Sequence, residues 1–171
     1  MKQNLMDTLY LHQFRTRLGW FWVASTDRGM AIISLPGEKE YFEEKKRKKF
    51  RKYRIVKGGK ENKKAEREIK AYLNGRLKKF SLRLDITGTP FQKKVLKKVI
   101  NIPYGETATY GEIARAIGRP KAARAVGSAN ASNCLPLVIP CHRVLASNGL
   151  GGYRGGLKIK QSLLQLENLN F

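Results

Sequence analysis

The sequence predicts a mixed α/β protein of the α+β kind, an α/β domain over residues 1–84 followed by a mainly helical domain over residues 85–171. Three observations carry this. Aromatic and β-branched runs separated by turn residues fill residues 9–35, helical spacing takes over in residues 61–73, and from Thr89 onward cap residues and glycine stops mark a succession of short helices.

In chain order, residues 10–14 and 20–24 read as strands, because aromatic and β-branched side chains suit a pleated, half-buried surface. Asp27-Arg28-Gly29 reads as a hairpin turn, and residues 30–35 as a third strand that stops at Pro36-Gly37. Trp20 and Trp22 are expected in the core. Residues 38–60, with Lys45-Lys46-Arg47-Lys48-Lys49 and Arg51-Lys52, form a charge run whose alternatives are a flexible connection and a basic helix. In residues 61–73, Ala65, Ile69, Tyr72 and Leu73 fall on one helical face, and Asn74-Gly75 ends it. Leu77, Phe80, Leu82, Leu84 and Ile86 then predict a further extended segment.

The second half is better punctuated. Thr89 predicts an N-cap with Pro90 at the first helical position, and Phe91, Val95, Leu96, Val99 and Ile100 predict a buried stripe that Pro103-Tyr104-Gly105 interrupts. Thr109 and Glu112 stand at capping-box spacing before Ile113, Ala114 and Ile117, with Gly118 as the stop. Arg119-Pro120 then leads into a helix expected over residues 121–130, so the two helices make a helix-turn-helix pattern. In the second of them Ala122, Ala123, Ala125, Gly127, Ser128 and Ala129 leave Arg124 as almost the sole long side chain. Such a thin helix suits close approach to another helix or to a nucleic-acid groove.

Residues 137–144 read Leu-Val-Ile-Pro-Cys-His-Arg-Val. A thiol reacts as its thiolate, so a nucleophilic cysteine needs a base or positive charge beside it. His142 next to Cys141 offers that base. Neighbours on a regular strand point to opposite faces, so the pair cooperates only on a turn or through a bridging water, and Pro140 favours the turn. The bland alternative is an inert buried cysteine beside a surface histidine. Ser147-Asn148-Gly149 turns the chain, residues 151–156 form a glycine-rich loop, and residues 157–167 close it as a helix with Ile159, Leu163 and Leu166 facing inward.

Composition bounds the function. At 171 residues and 42% hydrophobic the chain can bury a sizeable core. It has no apolar run near the roughly 20 residues a bilayer span requires, and its start lacks the apolar core of a signal peptide, so a soluble, intracellular protein is expected. Its two cysteines, Cys134 and Cys141, fit a reduced compartment, and with two histidines they show no paired metal-ligand spacing. Lysine and arginine number 35 against 13 acids, a net charge of +22, which makes nucleic acid the first partner to consider.

Pro140-Cys141-His142-Arg143-Val144, preceded by Pro120-Lys121-Ala122-Ala123-Arg124-Ala125-Val126-Gly127 and followed by Tyr153-Arg154-Gly155-Gly156-Leu157, resembles the methylated-DNA-protein-cysteine methyltransferases, or O6-alkylguanine-DNA alkyltransferases. The match covers roughly residues 89–167. The resemblance implies an N-terminal α/β domain with a ribonuclease H-like sheet and a C-terminal winged helix-turn-helix domain for DNA binding and alkyl transfer. It implies DNA repair by direct reversal: the alkyl group of O6-alkylguanine, or of O4-alkylthymine, in double-stranded DNA passes once and irreversibly to Cys141 after the base is flipped out.

By the same resemblance Glu167 orients His142, His142 deprotonates Cys141 through water, and Asn133 braces the turn. Arg124 is the finger that fills the vacated stack, Tyr110 crowds the phosphate beside the extruded base, and Ala123, Ala125 and Gly127 approach the minor groove. Tyr110, Pro136, Val144, Tyr153 and Arg154 make the substrate pocket, with backbone donors near Val144 and Arg154 for the charge on O6. No cofactor, metal or membrane is implied, and a monomer is expected in the cytoplasm of a prokaryote or the nucleus of a eukaryote. The chain departs from the family in lacking the extra ligands of its zinc-bearing members, in Arg154 where a small polar residue is often found, and in the dense basic stretch between Lys39 and Lys79. The alternative is a helix-turn-helix damage sensor or regulator without transfer. Cys141 argues against the sensor, and the alanines of residues 121–130 supply almost no base-reading groups for a regulator.

Overall fold

β1 (Thr8–Thr16), β2 (Gly19–Thr26) and β3 (Gly29–Ser34) form the antiparallel meander that the aromatic runs predict, in a computed structural model that describes residues 7–170. Residues 1–6, on which the reading of the chain's start depends, lie outside the described residues. The charge run resolves into a helix, α1 (Lys39–Lys49), and a short strand, β4 (Arg54–Lys57), that pairs parallel to β1 and gives the order β3-β2-β1-β4. α2 (Lys60–Leu73) follows as expected.

The sheet is covered on both faces. Phe14, Phe21, Val23 and Ile33 meet Ala65, Ile69 and Tyr72 of α2 on one side, while Leu9, Ala24 and Ile32 meet Phe42 and Phe50 on the other. β3 is buried at every position, because its open edge is closed as well: Met30 N–H donates to Arg83 O at 2.8 Å and Ile33 N–H to Cys134 O at 2.7 Å. Gly29 permits this approach, since a Cβ there would stand 2.5 Å from the Arg83 carbonyl oxygen.

Three expectations need correction. The apolar alternation of residues 76–86 yields a single bridge, Met30 to Leu84, and no longer ladder, because the segment packs its side chains on the core as it crosses the sheet edge. Trp20 is 45% exposed and Trp22 partly buried, so the tryptophans lie at the margin of the core. The second helix of the helix-turn-helix begins later than expected, at Ala123, after a turn at Pro120 and Lys121.

The remaining elements are α3 (Pro90–Val99), β5 (Ala108–Thr109), α4 (Tyr110–Ala116), α5 (Ala123–Ala131), β6 (Val144–Leu145) and α6 (Leu157–Leu166). The predicted capping box of Thr109 with Glu112 forms, and the predicted N-cap Thr89 makes a second one with Gln92. Val95, Leu96, Val99, Ile113, Ile117, Val126 and Ala129 bind the three helices into the same core cluster that holds Phe14, Phe21 and Tyr72. β5 pairs parallel with β6, which ties the start of α4 to the chain just after Cys141 and His142.

Candidate active site

The apolar run before Pro140 is a tight turn in the structure, and no strand forms there. Leu137 adopts φ 71°, Ile139 N–H donates to Leu135 O at 2.9 Å, and the Asn133 side chain closes the loop from inside. Its Nδ2 donates to Ile139 O at 2.9 Å, while its Oδ1 accepts from Leu135 N–H at 2.9 Å. An amide is suited to this place, because it offers a donor and an acceptor on separate atoms to two buried backbone groups. Pro140 then leads into a 3-10 turn over Cys141–Arg143, so the cysteine and the histidine are neighbours on a turn. Asn130 of α5 holds the same turn, donating from Nδ2 to Cys141 O at 3.2 Å.

Behind the cysteine lies a buried polar cluster. His142 is fully buried, Glu167 is 2% exposed and Arg143 6%. The Glu167 carboxylate receives Arg143 Nε on Oε2 and Arg143 Nη2 on Oε1, both at 2.9 Å, Gly105 N–H at 3.1 Å and the Tyr72 hydroxyl at 2.5 Å. His142 Nε2 lies 2.9 Å from Glu167 Oε1. Burial alone pushes a carboxyl upward, but the hydrogen bonds from His142 and Arg143 overcome it and hold Glu167 down at about 2. Burial depresses His142 below the ordinary imidazole value, against the pull of Glu167. The ring's other nitrogen, Nδ1, is buried with no protein partner among the described residues.

Cys141 is 6% exposed and stands on the wall of a cavity of about 830 Å³. Burial pushes its thiol up, while Asn133, the Arg154 charge, the Tyr153 hydroxyl and the Lys160 charge favour the thiolate. Of the residues expected at the site, Tyr110, Ala123, Arg124, Gly127, Asn133, Pro136, Tyr153 and Arg154 line this cavity with Cys141. Arg124 is exposed at its rim. Ala125 is exposed but lies outside the lining, and Val144 is buried behind it. The Val144 N–H donates to Cys141 O, so it is not free to meet a ligand from the cavity.

Sequence reasoning missed several partners. Lys160, fully buried, donates from Nζ to Val144 O at 2.7 Å, Leu150 O at 2.5 Å and Gly152 O at 3.3 Å, and so fastens the glycine-rich loop to the strand after the cysteine. Burial lowers it to about 8. Arg154 donates to Asn133 O at 2.7 Å and to both oxygens of Glu38, and its guanidinium stacks 3.8 Å above the Tyr41 ring. The start of α1 is thereby strapped to the cavity wall. These partners are 8 to 116 residues apart in the chain and are joined through backbone carbonyls or across the two halves, which local pattern does not register.

The chain is similar to known proteins in sequence and in fold. Residues 90–169 match the family of the 6-O-methylguanine DNA methyltransferase DNA-binding domain. A methylated-DNA–protein-cysteine methyltransferase of Methanosarcina acetivorans is 55% identical over 104 residues, covering 60% of this chain and 67% of its own. The crystal structure of Mycobacterium tuberculosis OGT in complex with DNA superimposes with a TM-score of 0.80 at 35% identity, over 92% of each chain. An O6-methylguanine-DNA methyltransferase of the archaeon Pyrococcus kodakaraensis does so with 0.69 at 28%, over 95% of this chain and 100% of its own. By these similarities, the chain belongs to the methylated-DNA–protein-cysteine methyltransferase family.

Proposed function

We propose that the protein repairs double-stranded DNA by transferring the alkyl group of O6-methylguanine to the sulfur of Cys141, once per molecule. The observation that carries this is the position of Cys141 on a cavity wall shared with the thin helix α5, directly before the buried His142–Glu167 pair.

A base inside a duplex is out of reach, so it must rotate into the cavity at a cost of about a few kcal/mol. Arg124 at the cavity rim fills the gap in the stack, and the small side chains of Ala123, Ala125 and Gly127 let the backbone of α5 enter the minor groove. Tyr110, at the start of α4, crowds the phosphate next to the turned base. In the site, the Cys141 proton passes through one water to His142 Nδ1, and the imidazolium formed is held by Glu167. The thiolate then attacks the methyl carbon in line. An S–C bond forms, the C–O6 bond breaks, and its electron pair stays with guanine, which takes up a proton. Backbone donors about Arg154 meet the charge on O6, with Tyr153 and Pro136 as walls.

O4-alkylthymine is the second substrate in this reading, as the same cavity takes a smaller base. Residues 85–171 carry every reacting group, and residues 1–84 pack against them. The protein acts as a monomer. Its location follows its substrate: the cytoplasm in a prokaryote, where chromosomal DNA lies. Among the described residues no helix is long and apolar enough to cross a membrane.

The test is incubation with duplex DNA containing O6-methylguanine, followed by peptide mass spectrometry. One methyl group per molecule on the Cys141 peptide is expected, and none in Cys141→Ala, which still binds the duplex. Binding by the unaltered protein with no gain in mass would instead favour a sensor.

A further inference from the structure

Tyr72 lies in α2, in the half of the chain without reacting groups, and its spacing marks it as one more core side chain. The ring is indeed fully buried, tilted against Phe80 with centroids 5.3 Å apart and edge-on to Tyr104 at 6.2 Å. A phenylalanine would fill that space equally well. A buried hydroxyl is costly unless bonded, and this one is bonded to the two groups that activate the cysteine. It donates to Glu167 Oε1 at 2.5 Å and its oxygen stands 3.2 Å from His142 Nε2.

The proton positions follow from the partners. Glu167 is held ionised and has no proton to give, so the phenolic hydrogen points to it. The lone pairs of the Tyr72 oxygen are then left toward His142. Nε2 faces two acceptors and carries the ring proton, which leaves Nδ1 as the basic nitrogen.

We infer, on the basis of the alkyl-transfer function proposed above, that Tyr72 is a positioning residue for the reaction: it fixes the His142 tautomer whose Nδ1 takes the thiol proton, and gives the resulting imidazolium a second acceptor beside Glu167.

The charges around the ring explain why a second acceptor matters. Arg143 on the same turn and Lys160 from α6 both oppose a positive imidazole, as does burial, and Glu167 favours it. Glu167 is itself shared with the Arg143 guanidinium and with Gly105, which weakens its hold on His142. Tyr72 is a neutral dipole whose negative end is turned to Nε2, so it supports the cation without adding a charge to a closed site. Through this one hydroxyl the N-terminal half takes part in the chemistry.

The test compares Tyr72→Phe with the unaltered full-length protein in single-turnover transfer from O6-methylguanine duplex, across pH. With a weaker base, the variant is expected to transfer roughly tenfold more slowly, in the range seen when a buried group orienting a reactive residue is lost. It is also expected to show its acidic limb displaced to lower pH at unchanged duplex affinity. A protein carrying 3,5-difluorotyrosine at position 72 keeps the ring and the hydroxyl but has a poorer acceptor oxygen. It should displace the limb the same way by less, and it decides the matter if the Phe variant does not fold. A slower rate with the limb unmoved, or an unchanged rate, would overturn the role of Tyr72 while leaving the proposed function standing. Failure of the unaltered protein to methylate Cys141 would overturn both.

Discussion

Replacing Glu167 by glutamine isolates what the buried carboxylate contributes. The side chain keeps its size, but the buried Arg143 and His142 lose their anion. The carboxyl is held at about 2 against an ordinary value of 4.5, a difference worth roughly 3 kcal/mol. Because the folded-state value is the lower one, this stabilisation is fully present above pH 4.5 and disappears as the pH falls toward 2. We expect Glu167→Gln to be less stable by about 3 kcal/mol near neutral pH, in line with the loss of one partner of a buried pair. For a chain of this length that lowers Tm by roughly 6–12 °C. Urea unfolding of both proteins at a series of pH values is the assay. The stability gap should narrow by roughly 2 kcal/mol on going to about pH 3, since only the unaltered protein has this carboxylate to protonate. A gap that stays constant across the series would refute the reasoning, because the loss would then come from packing and not from charge.

Three further outcomes follow from the site. Arg124→Ala, at the cavity rim, should slow transfer from duplex DNA by about tenfold or more while transfer from the free modified base is nearly unchanged, as rate measurements on the two substrates would reveal. Arg154→Ser removes both the bond to Asn133 O and the strap to Glu38. It should cost about 1–3 kcal/mol of stability in denaturant titration, and raise the rate with bulky O6-benzylguanine relative to methylguanine. Methylation of Cys141, only 6% exposed, crowds a packed wall and should lower stability by about 1–3 kcal/mol, visible as earlier melting of the fully methylated protein.

Legibility in the sequence tracked the range of the interactions. Thr89 with Gln92 and Thr109 with Glu112 act over three residues, so both helix starts could be read directly. β4 could not, because Arg54–Lys57 carries no strand pattern of its own and becomes a strand only by pairing with β1. Residues 76–86 erred the other way: the apolar spacing is genuine, but β3 accepts only one bridge from them. At the site, Cys141 and His142 were legible as a thiol beside a base, while Asn133 and Glu167 came from motif resemblance. Tyr72, 95 residues from Glu167 and part of an ordinary apolar stripe, carried no signal beyond burial.

The single core that joins the sheet, α2 and the helix-turn-helix has a consequence for anyone who would cut the molecule down. Phe21 and Val23 share one apolar mass with Val95, Ile113 and Val126, so a nick near Asp85 would expose a greasy surface on both fragments. A minimal tagging reagent made from the reactive half alone would therefore inherit an adhesive flank, and its designer would need to repaint that flank with polar side chains before it stayed in solution.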